Sequence, residues 1–186
     1  MAVVSTSGSG TLSDVASLIA DGGYCALLTS GGVDCWGYCA DGALGDGQLS
    51  DSAIPVAVVS TSGSGALRGV NSLAADNEGG NCAQLTSGGV DCWGNGNDGE
   101  LGNGQFYTSG IYGSAVPVAV VSTSGSGTLG NVASLTGGGS GEAIDSYCAL
   151  LTSGEVDCWG GDVYGNLGNG QSSDSAVPVT VTFPPS

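Results

Sequence analysis

The side chains able to do chemistry in this chain are few, and they recur. Six of its seven cysteines fall into three pairs, Cys25/Cys35, Cys82/Cys92 and Cys148/Cys158, always ten positions apart. A carboxylate precedes the second cysteine of every pair, as Asp34, Asp91 and Asp157. Histidine and lysine are absent, and Arg68 is the one base against seventeen acids. Acid–base, nucleophilic and phosphoryl-transfer chemistry therefore lack most of their usual participants. A glycosidase needs only two carboxylates, yet one repeated in every unit is better suited to bonding turn or neighbouring-unit amides than to catalysis. The expectation is a protein without catalytic residues or a cofactor.

The elements that must position the cysteines are readable. Each pair lies in a stretch such as Tyr24-Cys-Ala-Leu-Leu-Thr-Ser-Gly-Gly-Val-Asp-Cys-Trp36, repeated from Asn81 to Trp93 and from Tyr147 to Trp159. Its alternation is that of two short strands, with Ser30-Gly31-Gly32 as the hairpin loop between them. A turn centred on Ser30 sets Cys25 opposite Cys35 and Leu27 opposite Val33. Directly opposed residues of antiparallel strands approach the Cβ separation that a disulfide needs. Zinc sites usually take closer ligand pairs, often with histidine. Three disulfides are the reading, with three pairs of buried thiols as the alternative. Disulfides imply an oxidising compartment, so the expected location is extracellular or at the cell surface. Cys39 is left over, with no counterpart in the other copies.

Composition narrows the partners. The net charge of −16 disfavours nucleic acid, because phosphate binding needs clustered lysine and arginine, and it disfavours anionic membrane surfaces as well. No stretch reaches the apolar length of a membrane span, so no membrane insertion is expected. With 37 glycines and 5 prolines the chain nears the composition of disordered sequences, but 40% apolar residues and valine-rich alternation favour a folded, loop-rich β protein. Met1-Ala2-Val3-Val4 leads straight into the repeat without a basic start or an apolar run, which predicts a trimmed mature chain or a fragment carrying an added methionine. No Asn-x-Ser/Thr sequon occurs, although the Ser-Thr-Ser-Gly-Ser-Gly loops offer hydroxyls.

The hairpin is part of a longer unit. Val3–Leu12, Val58–Leu67 and Val120–Leu129 open the three copies, and Val15–Leu18, Val70–Leu73 and Val132–Leu135 follow as a second valine strand. After each hairpin comes Leu44-Gly-Asp-Gly47, Leu101-Gly-Asn-Gly104 or Leu167-Gly-Asn-Gly170, then Ile54–Val58, Val116–Val120 or Val177–Val181. Four short strands per unit at this period are the signature of a propeller blade. The run from Cys25 to Gly37 followed by Leu44-Gly45 resembles the regulator of chromosome condensation repeat, in its bacterial, cysteine-paired, alpha-tubulin-suppressor-like form. Trp36-Gly37, Trp93-Gly94 and Trp159-Gly160 match that family's tryptophan-glycine positions, and Leu44-Gly45, Leu101-Gly102 and Leu167-Gly168 its leucine-glycine positions. The resemblance implies a β-propeller, usually of seven blades. The founder's role as a chromatin-bound nucleotide exchange factor does not carry over, because the basic surface it needs is missing.

The fold class expected is therefore all-β, built of four-stranded antiparallel propeller blades. Residues 1–57 form the first blade, 58–119 the second, and 120–186 the third with a trailing strand over 179–183. Three blades are too few to close a propeller, so the ring is completed by oligomerisation or by further chain. Open sheet edges invite other copies of the chain, in a closed ring or a filament. Val3, Val179, Val181 and Phe183 are the candidate assembly residues, from valine strands that outnumber the hairpins four to three. The other class of function is binding of a protein or glycan ligand at the end that carries the variable loops 75–81, 94–115 and 137–147. There Phe106, Tyr107 and Tyr112 are the candidate contact residues, or else cover a small core of their own insertion. Calcium is a lesser expectation, on Asp41, Asp46 and Asp51 or on Asp98 with Glu100, none of which has the spacing of a known calcium loop.

Overall fold

Valine-rich alternation and glycine turns build twelve strands, seen in a computed structural model that describes residues 3–76, 78–138 and 145–182. The first sheet holds β1 (Val15–Asp21), β2 (Gly23–Leu28), β3 (Val33–Gly37) and β4 (Ser52–Ala57). The second holds β5 (Val70–Ala75), β6 (Gly80–Leu85), β7 (Val90–Asn95) and β8 (Gly113–Ala119), and the third β9 (Val132–Gly138), β10 (Ser146–Leu151), β11 (Val156–Gly160) and β12 (Ser175–Thr180). Each sheet is an antiparallel meander in chain order. The first strands of the sheets pack against one another, β1 on β5 and β5 on β9, so they form the inner row of a propeller. The three blades form an open arc, not a closed ring.

The hairpin register is the one the sequence dictates. Cys25 faces Cys35 and Leu27 faces Val33, and the other two copies repeat the cysteine pairing. All three pairs are disulfides, with Cα atoms 4.1 Å apart. Each closes a short loop, which stabilises by about 2–3 kcal/mol through the unfolded chain. Replacing Cys82 and Cys92 together by alanine is expected to lose that amount in denaturant unfolding. Cys39 is a free, buried thiol, held protonated chiefly by burial.

One expectation is corrected. The valine strand that closes each unit belongs to the hairpin before it: Val56 pairs with Cys35, Val118 with Cys92 and Val179 with Cys158. Val179 is thus the outer strand of its own blade, and the Val181 amide continues the ladder onto the Val156 carbonyl at 2.9 Å. Neither is a spare strand. The opening segment forms no sheet strand: Val4 makes one bridge to Thr11, while the Val3 carbonyl accepts from the Leu12 amide. Phe183 lies outside the described residues. The physical reason is Pro55, Pro117 and Pro178, which lack an N–H and suit an outer edge strand paired on one side only.

The cores lie between blades. Leu27, Val33, Leu44, Val58 and Trp93 pack between the first and second sheets, and Val90, Leu101, Val120, Tyr147 and Trp159 between the second and third. In the Trp-Gly pair the glycine sits at a bulge with φ of 109°, 89° and 104° at Gly37, Gly94 and Gly160, a region that favours glycine. Any side chain there would strike the turn that begins the hairpin.

Candidate functional site

The Leu-Gly motif and the Trp-Gly motif meet at the joint between blades. The Trp93 indole N–H donates to the Ala43 carbonyl at 3.0 Å, and Trp159 donates to the Glu100 carbonyl at 2.8 Å. Gly45 lies flat against the edge of Trp93 and Gly102 against Trp159, so closely that a Cβ at either would stand 2.8–2.9 Å from the indole. The same loops reach the outer strand of the next blade, where Gly47 donates to the Ala115 carbonyl and Gly104 to that of Ala176. The first and second blades thus each extend one loop onto the tryptophan and outer strand of their successor.

The first blade keeps the receiving half of this joint without a loop upon it. Trp93 and Trp159 are fully buried, whereas Trp36 is half-buried and stacks on Tyr24 with centroids 5.8 Å apart. Tyr24 is 53% exposed, but its counterpart Tyr147, stacked on Trp159 in the same way, is 0% exposed. Leu18 at 60% and Tyr38 at 61% extend this apolar flank. The third blade shows the converse. Leu27 and Gln84 are buried by the following blade, while Leu150 at the same repeat position is 42% exposed. Val163 and Tyr164 are exposed in the connection between β11 and β12.

The variable-loop end divides the aromatic candidates. Phe106 and Tyr112 are exposed. Tyr107 instead packs on the second core, and its hydroxyl accepts from the Asn103 side chain at 2.9 Å. The Tyr112 amide donates to Asp41, which ties the insertion to the first blade's 3-10 turn, Ala40–Gly42.

The repeated hairpin aspartates do not accept backbone amides as expected. Asp157 accepts the Thr180 hydroxyl at 2.7 Å across the β11–β12 pair. Asp34 and Asp91 face Ala57 and Ala119, and among the described residues neither accepts a hydrogen bond. Burial raises the pKa of both. Ala119→Thr is expected to supply the missing hydroxyl and stabilise by about 1 kcal/mol in denaturant unfolding.

The calcium candidates named from sequence serve as turn caps. Asp46 accepts the Gln48 amide, Asp51 the Cys39 amide, and Glu100 the Asp98 amide. No group of three acidic side chains among the described residues is arranged to hold a metal ion as it stands. The sequence reading missed a different feature. The inner turns of the three blades bring Asp21, Asp76, Glu78 and Asp145 to one end. Asp21 accepts the Gly79 amide at 2.7 Å, and Asp76 accepts those of Glu78 and Gly80 at 3.0 and 2.9 Å. Burial, then the charge of Asp76, lifts Asp21 to about 7. Burial, then the charges of Asp76 and Glu78, lifts Asp145 to about 8, and Glu100 behind them rises to about 8, again chiefly by burial.

No family model matches the chain. The human E3 ubiquitin-protein ligase HERC2 is 31% identical over 158 residues, which are 85% of this chain and 3% of HERC2, and the mouse protein gives the same figures. Prp20p from Saccharomyces cerevisiae, named RCC1 in its complex with Kap60, matches with a TM-score of 0.70 and 17% identity over 92% of this chain and 39% of its own. The chain belongs to the regulator of chromosome condensation repeat family. Human WBSCR16 has a TM-score of 0.52 at 22% identity, over 94% of this chain and 56% of its own. The chain therefore spans a small part of HERC2 and about two-fifths of Prp20p. In this chain the repeat's Trp-Gly and Leu-Gly positions are the two halves of the blade joint.

Proposed function

We propose that this chain is a non-catalytic, self-associating unit of three regulator of chromosome condensation blades, working outside the cell or on its surface. Its flanks engage those of other copies, in a closed ring or a filament. The observation that carries this reading is the contrast between Trp36 and its equivalents. Trp93 and Trp159 are sealed by the preceding blade's loop, while Trp36, Tyr24 and Tyr38 present the same receiving surface to solvent. The third blade carries Leu167-Gly168, the loop that seals a tryptophan at each internal joint. A flank of one copy set on the opposite flank of another repeats a contact the chain already makes twice. Two copies joined at both ends give six blades, within the 4–8 that close a propeller, and a rotation that fails to close gives a filament. Three disulfides support an oxidising location.

Sedimentation equilibrium tests the reading. Mass rising with concentration above the 17.8 kDa of one chain is expected. A 17.8 kDa particle at every concentration up to the millimolar range would sink it. A second reading, a protein or glycan ligand at the variable-loop end, is favoured by the exposure of Phe106 and Tyr112. Like Prp20p, described for its binding to Gsp1p and histones, the chain would then act by protein recognition. Capture of such a ligand by the wild type and its loss on Phe106→Ala with Tyr112→Ala would support that reading.

A further inference from the structure

An asparagine followed by glycine carries a backbone nucleophile beside its own side-chain amide. The glycine nitrogen can reach the side-chain carbonyl carbon, because no Cβ blocks the approach. The chain has three such pairs, Asn95-Gly96, Asn103-Gly104 and Asn169-Gly170. The attacking species is the nitrogen without its proton, so a glycine N–H held by a carbonyl is withdrawn from reaction.

The fold treats the three pairs differently. Gly96 donates to the Tyr112 carbonyl at 2.8 Å, and Asn95 is buried. Gly104 donates to the Ala176 carbonyl at 2.8 Å, and the Asn103 amide is held at both ends. Its Oδ1 accepts the Gln105 amide and its Nδ2 donates to the Tyr107 hydroxyl. Gly170 is exposed, and among the described residues its N–H has no acceptor. Asn169 is held only through Oδ1, which accepts the Gln171 amide at 2.9 Å. That donor polarises the carbonyl under attack, at the atom where negative charge develops. Exposure alone does not separate the sites, since Gly104 is exposed too.

The free N–H has a positional cause. Gly47 and Gly104, at the repeat position of Gly170, donate to Ala115 and Ala176 on the outer strand of the following blade. Among the described residues no blade follows the third. The equivalent carbonyl, that of Ala53, lies on the exposed part of β4 in the first blade.

We propose that Asn169 is a self-modifying site, converted to aspartate and isoaspartate by the Gly170 amide. The Gly170 nitrogen loses its proton to solvent and bonds to Asn169 Cγ, the side-chain nitrogen leaves as ammonia, and a cyclic imide closes. Water then adds to one of the two imide carbonyls and breaks its bond to the Gly170 nitrogen. Opening at Cγ gives aspartate, and opening at the backbone carbonyl gives isoaspartate. One water is consumed and one ammonia released, with no oxidant or reductant. Each product adds a negative charge, and isoaspartate also lengthens the backbone between Gly168 and Gly170. A second part rests on the self-association reading: Ala53 of a second copy accepts the Gly170 N–H, so association protects Asn169 and modification disables the sealing loop.

The experiment incubates the chain in mildly alkaline, isotope-labelled water and maps isoaspartate and new aspartate by peptide mass spectrometry. In dilute native solution Asn169 is expected to convert at least ten-fold faster than Asn95 and Asn103. In urea the three sites are expected to converge, since the fold and not the dipeptide separates them. Asn169→Gln removes the fast conversion. Asn95 or Asn103 converting as fast as Asn169 in the folded chain would overturn the proposal, as would a stable Asn169 under conditions where the unfolded chain reacts. In concentrated solution conversion of Asn169 is expected to slow as the sedimented mass rises. A rising mass with an unchanged rate would refute the protection by Ala53 alone. A mass that never rises would instead refute self-association, while the dilute sample still decides the chemistry of Asn169.

Discussion

Alanine in place of Trp159 is expected to cost about 3–5 kcal/mol of stability, while the same change at Trp36 costs about 1 kcal/mol or less. The two residues are identical in sequence context, so the difference comes wholly from what lies on top of them. Trp159 fills the core between the second and third blades and donates to the Glu100 carbonyl. Its removal leaves a cavity and an orphaned acceptor where Gly102 rests on the ring. Trp36 has solvent on part of that face. Should Trp159→Ala not fold, Trp159→Phe keeps most of the packing and loses the N–H donor, for an expected cost of about 1–2 kcal/mol. Self-association reverses the order: Trp36→Ala is expected to remove it with the single chain still folded. Equal stability losses at Trp36 and Trp159 in denaturant unfolding would show that the first blade's flank is covered within one chain.

Stability is expected to fall as pH rises from about 4 to 8, the opposite of an ordinary salt-bridged protein. Asp21, Glu100 and Asp145 have folded pKa values of about 7, 8 and 8, raised first of all by burial, against unfolded values of about 4. Between those limits the folded chain holds more protons than the unfolded chain, so the slope of stability with pH is negative. The full benefit is present below the unfolded pKa and is gone above the folded one. The combined change is on the order of several kcal/mol, measured by urea unfolding with EDTA present. Relief of general repulsion at a net charge of −16 has the same sign, so Glu100→Gln separates the two. The amide oxygen of the substituted side chain can still accept the Asp98 amide, and this variant is expected to flatten the curve and gain stability at pH 8. A curve that rises toward pH 8 in the wild type would contradict the carboxyl assignments.

The hairpins were legible because their chemistry is local. Ten-residue cysteine spacing around a glycine turn admits one register, and Cys25 does oppose Cys35. The blade count followed from repetition, and the exposed flanks from that count. The partner of the outer strand was less legible, since a Pro-Val-Ala-Val run between two hairpins can pair backward or forward. Pro55, Pro117 and Pro178 held the answer, as a residue without an N–H belongs at an outer edge. Tyr107 could not be told from Phe106, because neighbouring residues in an irregular loop have no fixed alternation. The acidic cluster was beyond a linear reading. Asp21 and Asp76 share a repeat position, but Asp145 enters from a longer turn at another, and only the curvature of the arc brings the three together.

The central claim is that Trp36 occupies half of a blade joint that another copy completes. Oxidative footprinting of the three tryptophans over a range of protein concentrations addresses it most directly. The account predicts that Trp93 and Trp159 stay protected throughout, while Trp36 is modified in dilute solution and becomes protected as concentration rises. Trp36 modified equally at all concentrations, or protected even at the lowest, would contradict it.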